Sequence, residues 1–220
     1  MTAARRLRVA VLISGSGTNL QAIIDAAAAG DLEIDIVGVI SDRPKAYGLE
    51  RAANAGITAM PVDFKSFDKR ADFDAALADK LAELAPDLVV LAGYMRILPA
   101  TTVNGYRGRM LNIHPSLLPD FPGLDTYARA LAAGKKSHGT TVHFVTPELD
   151  SGPAIIQYRV HIRDQETEPG LRQRVQAGEY IIYPQAIGLI AAGRVTLDGD
   201  SVCLDGKPLE QPIIIDEQPC

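Results

Sequence analysis

Apolar positions along the chain alternate between short continuous runs and stretches with helical spacing. Residues 8–13 (RVAVLI) form an unbroken apolar run, the pattern of a parallel strand covered on both faces. A Gly-Ser loop follows, and residues 20–29 read as a helix closed by Gly30. Residues 34–40 predict a second strand, 47–55 a helix ending at Gly56, and 57–62 a third short strand. Phe73, Leu77, Leu81 and Leu84 share one face of a helix over 72–84, which Pro86 stops before a fourth strand at Leu88–Leu91. This strand–helix alternation predicts an α/β fold, a doubly wound and mostly parallel sheet with helices on both faces. A ligand crevice is then expected at the carboxyl ends of the strands.

The second half is less regular. Met110–His114 reads as a strand, 126–133 as a helix ending at Gly134, and 140–145 and 154–160 as two further strands. Residues 171–192 are helical in pattern around Pro184. Within 195–204, Asp198-Gly199-Asp200 between two strand-like pieces predicts a C-terminal hairpin. No linker, repeat or low-complexity stretch divides the chain, so one domain over 1–220 is expected. Its first half, to about residue 100, is read as the phosphate-binding part, and the remainder as the catalytic part. The stretch after Pro208 carries no motif.

The loop Ser14-Gly15-Ser16-Gly17-Thr18-Asn19 lies between the first strand and the first helix. Glycines there allow close backbone approach to an anion, and a helix start offers N–H groups. Leu20 stands where a dinucleotide fingerprint has its third glycine, although Asp35 lies at a suitable distance for the ribose-binding acid. A terminal phosphate therefore fits better than a pyrophosphate. A tight turn with no ligand is the alternative.

Composition narrows the partners. The 220 residues are 47% hydrophobic and 22% charged, with formal net charge −5, which argues against a nucleic-acid surface. Arg5, Arg6 and Arg8 read as a solvated N-terminal fringe. The early apolar run 9–13 is far short of the ~20 residues of a membrane span, and no cleavage-like site follows it. With only Cys203 and Cys220, neither a disulfide framework nor a Cys-rich metal site is expected. A cytoplasmic protein without a metal is the expectation. A homodimer is compatible with the sequence, which does not fix the oligomeric state.

His114, of the four histidines, ends an apolar strand and precedes Pro115, with Asn112 two residues earlier. Period-two geometry places Asn112 and His114 on one face, an amide beside a titratable imidazole. Two polar groups on one face of a buried strand need partners or a task. Asp150, in the turn-rich loop Thr146-Pro147-Glu148-Leu149-Asp150-Ser151-Gly152-Pro153, could hold and orient the imidazole, or be an ordinary turn residue. His143 either approaches the same place or packs as a strand residue. His138 flanks or lies in that strand, and His161 is expected to be exposed.

Together the segments VLISGSGTNLQAIIDA, GLERA, LAGYMRIL, LNIHPSLLP, FPGL, HGTTVHFV, ELDSGP and QAGEYIIYP, in this order, resemble the folate-dependent phosphoribosylglycinamide formyltransferases. The resemblance implies a formyltransferase-type Rossmann-like fold and formyl transfer from 10-formyltetrahydrofolate, as cosubstrate, to glycinamide ribonucleotide in purine biosynthesis. It implies that Gly15, Ser16, Gly17, Thr18 and Asn19 hold the ribose phosphate, with Gln176 and Glu179 on the rest of the ribonucleotide. It places the folate against Arg70, Leu91, Met95, Arg96, Ile97, Leu98 and Asn112, and against the loop Thr146, Pro147, Glu148, Leu149 and Asp150. Asn112, His114 and Asp150 are implied as the catalytic set, with no metal and no covalent intermediate. Ser151 departs from the second glycine common in this family.

The nearest rival is a formyltetrahydrofolate hydrolase, which shares the Asn, His and Asp set. Such proteins usually carry an N-terminal regulatory domain, for which a first strand at Arg8 leaves no room. Transfer to methionyl-tRNA fits the acidic charge poorly. A nicotinamide-dependent dehydrogenase, or a nucleotide-binding module without catalysis, leaves NIHPS and LDSGP unexplained.

Overall fold

The computed structural model describes residues 5–218. Two compact units divide the chain, the first ending at Leu111 and the second beginning at Asn112.

The first unit is built from β1 (Leu7–Ile13), α1 (Thr18–Ala29), β2 (Ile34–Ser41), α2 (Tyr47–Asn54), β3 (Ala59–Pro61), α3 (Arg70–Leu84), β4 (Leu88–Leu91) and α4 (Ala100–Gly105). Its strands run in the order β4-β1-β2-β3, all parallel. Val9 to Ile13 are 0% exposed, as a strand covered on both faces requires. The one-face apolar residues Phe73, Leu77, Leu81 and Leu84 are all buried. Arg8 is half-buried rather than part of a solvated fringe, whereas Arg5 keeps its side chain 69% exposed. Arg5 pairs with Asp87, and Arg8 donates to the carbonyls of Leu84 (2.7 Å) and Ala85 (3.2 Å). Arg8 thereby closes the end of α3, whose last carbonyls lack helical partners.

The second unit takes up β5 (Met110–His114) from Asn112 onward. It continues with α5 (Thr126–Ala132), β6 (Ser137–Phe144), β7 (Ala154–His161), α6 (Glu168–Ala191), β8 (Val195–Asp198), β9 (Ser201–Leu204), β10 (Lys207–Pro208) and β11 (Ile213–Asp216). Its main strands lie in the order β11-β7-β6-β5, with β6 and β7 antiparallel and β11 parallel to β7. The expected hairpin is β8–β9, with Gly199 at φ 58 in its two-residue turn. α6 runs straight through Pro184 rather than breaking there.

Among the elements named above, α4, β10 and β11 had no counterpart in the sequence pattern. α4 is only six residues long. β11 gives the stretch after Pro208 a structural role. Asp216 accepts from Arg159 at 2.6 and 3.0 Å, and Glu217 takes Arg174, which also binds Glu166. Among the described residues no helix is long and apolar enough to cross a membrane.

Candidate active site

In the first unit the glycine loop lines a cavity at the start of α1. Gly17 adopts φ 69 and serves as the N-cap, so α1 begins at Thr18, two residues earlier than the apolar pattern predicts. Thr18 and Asn19 therefore belong to the first turn of a helix, where backbone N–H groups have no acceptor within the helix. The helix macrodipole adds positive potential at the same end. A cavity of about 200 Å³ is lined by Ser14 to Asn19, together with Arg43 and Met95. The exposed Arg43, directly after Asp42 at the end of β2, supplies a cation that the sequence reading missed. Its signal was a basic residue just past the carboxyl end of a strand. Leu20, 0% exposed, fills the core at the place where a dinucleotide turn needs glycine.

The 93–98 segment is tied to this loop. Ser14 donates its backbone N–H to Gly93 O (3.2 Å), and its hydroxyl accepts from Met95 N at 2.9 Å. Of the apolar residues expected against a folate, Met95 and Ile97 are 61% and 62% exposed. Leu91 and Leu98, at 7% and 6%, are buried. Arg96 is drawn inward: its Nε lies 2.6 Å from the buried Asp42, and its guanidinium sits 3.3 Å over the Phe64 ring. Arg70, the first residue of α3, donates to the Ile97 carbonyl and to Asp74 at 2.8 Å.

In the second unit the sequence-predicted polar residues converge. His114 Nδ1 lies 3.3 Å from Asp150 Oδ2, and both side chains are over 90% buried. Asn112 Nδ2 is 3.4 Å from Asp150 Oδ1 and 3.2 Å from His143 Nε2. His143 thus joins the cluster, 3.9 Å from the carboxylate. Burial holds its pKa below the usual histidine value. The neutral ring donates from Nδ1 to Phe144 O (2.9 Å), leaving the Nε2 lone pair for the Asn112 amide. Both Asn112 amide hydrogens therefore face acceptors within the cluster.

His114 Nε2 meets a partner the sequence did not reveal, the carbonyl of Phe121 at 3.0 Å. One ring nitrogen thus faces a carboxylate and the other a backbone carbonyl. The 121–123 loop also reaches Asp150, whose Oδ2 accepts from Gly123 N at 2.9 Å. Phe121 sits at φ 54 and Asp150 at φ 50, conformations costly for non-glycine residues and found often at functional sites.

The loop carrying Asp150 is fixed by close packing at Gly152. A Cβ there would lie 1.8 Å from Phe144 O, whereas the exposed Ser151 turns its hydroxyl to Leu149 O (2.9 Å). This explains why serine is accommodated in place of a glycine. Gly152→Ala is expected to cost roughly 1–3 kcal/mol through overpacking, while Ser151→Gly changes stability by no more than about 0.5 kcal/mol. Urea midpoints of the two variants check the contrast. Thr146, Pro147, Glu148 and Leu149 stand at or near the surface, with Leu149 55% exposed. On α6, Glu179 is buried and Gln176 half-buried, three residues apart on adjoining turns.

His138, 1% exposed in β6, packs edge-on against Tyr127 and Phe121, and burial depresses its pKa to about 4. A histidine held neutral when folded but ordinary when unfolded adds stability above its unfolded pKa of about 6.5. That stability is lost as pH falls toward the folded value. Denaturant midpoints are therefore expected to fall between about pH 6.5 and 4, and His138→Phe should flatten that slope. His161 is exposed, as expected.

An α/β fold with a mostly parallel sheet, a glycine loop at a helix start and a buried Asn-His-Asp cluster defines a class with known members. The chain belongs to the formyl transferase family, whose pattern matches residues 7–187. Within that family it is 46% identical to the phosphoribosylglycinamide formyltransferase of Escherichia coli K12 over 203 residues, 92% of this chain and 96% of that protein. The solved phosphoribosylglycinamide formyltransferase of Coxiella burnetii superposes with a TM-score of 0.91 at 49% identity, covering 96% of this chain and 99% of that one. The glycinamide ribonucleotide transformylase 1 of Symbiobacterium toebii superposes with a TM-score of 0.87, also at 49% identity, over 90% and 94% of the two chains.

Proposed function

We propose that this chain transfers the formyl group of 10-formyltetrahydrofolate to the amine of glycinamide ribonucleotide, giving formylglycinamide ribonucleotide and tetrahydrofolate. The observation that carries the reading is the buried ion pair of His114 with Asp150, on a chain so similar to named transferases over its length. The two units are read as halves of one formyltransferase domain, because a single family pattern runs from residue 7 to 187.

The amine nitrogen attacks the formyl carbon and a tetrahedral oxyanion forms. Donors aimed at such an oxygen are each worth roughly a hundredfold or more in rate. His114, protonated and buried, is the principal donor, the oxyanion competing with the Phe121 carbonyl for its Nε2–H. Asn112 contributes when one of its N–H groups turns from its partners in the cluster. As the intermediate collapses, the bond from carbon to the folate nitrogen breaks and the proton lost by the amine reaches that nitrogen. His114 and Asp150 relay it, directly or through water. The carboxylate keeps the imidazole charged, so proton and oxyanion are handled by one group.

The remaining residues bind. Gly15 to Asn19 take the ribose phosphate, with Gln176 and Glu179 on the glycinamide ribonucleotide. Met95 and Ile97 offer apolar surface to the pterin and Arg70 a cation to the folate. The 146–150 loop closes on the cofactor side. A cytoplasmic setting is part of this reading, in keeping with the free thiol of Cys203. The test is release of tetrahydrofolate from 10-formyltetrahydrofolate with and without glycinamide ribonucleotide. Release that requires the ribonucleotide supports the transferase; equal rates in both point to hydrolysis.

A further inference from the structure

The segment Gly48-Leu49-Glu50-Arg51-Ala52 of α2 has no part in the chemistry above, yet it makes the most intimate contact with the glycine loop. Gly48 N donates to Gly15 O at 3.1 Å. A Cβ on Gly17 would stand 2.7 Å from Gly48 Cα. A Cβ on Gly48 would stand 2.4 Å from Ile13 Cδ1, 3.2 Å from Gly17 Cα and 3.4 Å from Gly15 O. The two backbones cross at a distance that only a pair of glycines permits. One turn further, Arg51 donates from Nε to Ser16 O (2.8 Å) and from Nη1 to Gln21 Oε1 (2.9 Å). Its guanidinium lies 4.9 Å from the centre of the Tyr47 ring.

These contacts fix the orientation of the loop's peptide planes. In a trans peptide the C=O and the following N–H point in opposite directions. Drawing the carbonyls of Gly15 and Ser16 toward α2 therefore turns the N–H groups of Ser16 and Gly17 away from it. Ser16 and Gly17 line the cavity, and Arg51 does not. Two carbonyl dipoles that would repel an anion are thereby held on the far side of the loop from it.

We infer that Gly48 and Arg51 are positioning residues for phosphate recognition, aligning the 14–19 loop from behind without touching the substrate. This inference rests on the reading that the loop binds the ribose phosphate, and the experiment separates the two. In the unaltered enzyme, inorganic phosphate should compete with glycinamide ribonucleotide, and the unphosphorylated riboside should be a poor substrate. Failure of both removes the phosphate reading itself.

In Gly48→Ala and in Arg51→Met, KM for the ribonucleotide is expected to rise on the order of tenfold, since small misplacements of binding groups are costly. The inhibition constant of phosphate should rise in parallel, with kcat and riboside kcat/KM close to unaltered. Arg51→Lys, which retains one donor for Ser16 O, should recover part of the loss. Because Gly48→Ala strains the fold at Ile13, Arg51→Met carries the test if that variant is unstable. Unchanged KM in Arg51→Met, or equal losses on ribonucleotide and riboside, would overturn the positioning role.

Discussion

His114→Ala is expected to lower kcat by about 10²–10⁴-fold, the range for a lost general acid or base. KM for glycinamide ribonucleotide should stay within a small factor. Both ring nitrogens of the imidazole face acceptors, Asp150 at 3.3 Å and the Phe121 carbonyl at 3.0 Å. Removing it takes away the oxyanion donor and the proton carrier together, while the glycine loop is untouched. Steady-state kinetics on the purified variant check this. Near-normal turnover would remove His114 from the machinery. Because the residue is 6% exposed, a thermal melt should accompany the assay, so that loss of fold is not mistaken for loss of chemistry.

Asp150→Asn is expected to cost on the order of a hundredfold or more in kcat, with a smaller effect on folding. The carboxylate is surrounded by donors: His114 Nδ1 at 3.3 Å, Gly123 N at 2.9 Å and Asn112 Nδ2 at 3.4 Å. An amide there replaces one acceptor oxygen by an NH2 group, which must face one of these donors. It also withdraws the negative charge that faces the His114 ring. The backbone should tolerate the exchange, because asparagine enters the left-handed region found at φ 50 as readily as aspartate. A kcat loss far larger than the shift in urea midpoint is the expected signature. A variant of normal turnover would contradict the proposed role.

Much of the first unit was legible because its strands are buried on both faces. RVAVLI at β1 and LVVL at β4 can be little else, and Phe73, Leu77, Leu81 and Leu84 mark α3 by their spacing. β5 exposed the pairing of Asn112 with His114 through its period of two. The arrival of Asp150, 38 residues beyond Asn112, came from family resemblance and not from any local pattern. What stayed hidden was of two physical kinds. Backbone groups have no letter in a sequence, so the Phe121 carbonyl on His114 and the Gly15 and Ser16 carbonyls on α2 could not be read. Residues whose side depends on tertiary packing were equally opaque. Leu91 and Leu98 look like Met95 and Ile97 in the sequence, yet they turn into the core. β11 is an Ile-rich run whose role depends on finding β7, more than 50 residues earlier.

The fate of the formyl carbon tests the account most directly. With 10-formyltetrahydrofolate carrying ¹³C in the formyl group, glycinamide ribonucleotide and the purified chain, NMR should place the label in the amide of the ribonucleotide product. That signal should grow in step with tetrahydrofolate and be lost in His114→Ala. Label recovered instead as free formate, at a rate indifferent to the ribonucleotide, would contradict formyl transfer as the activity of this chain.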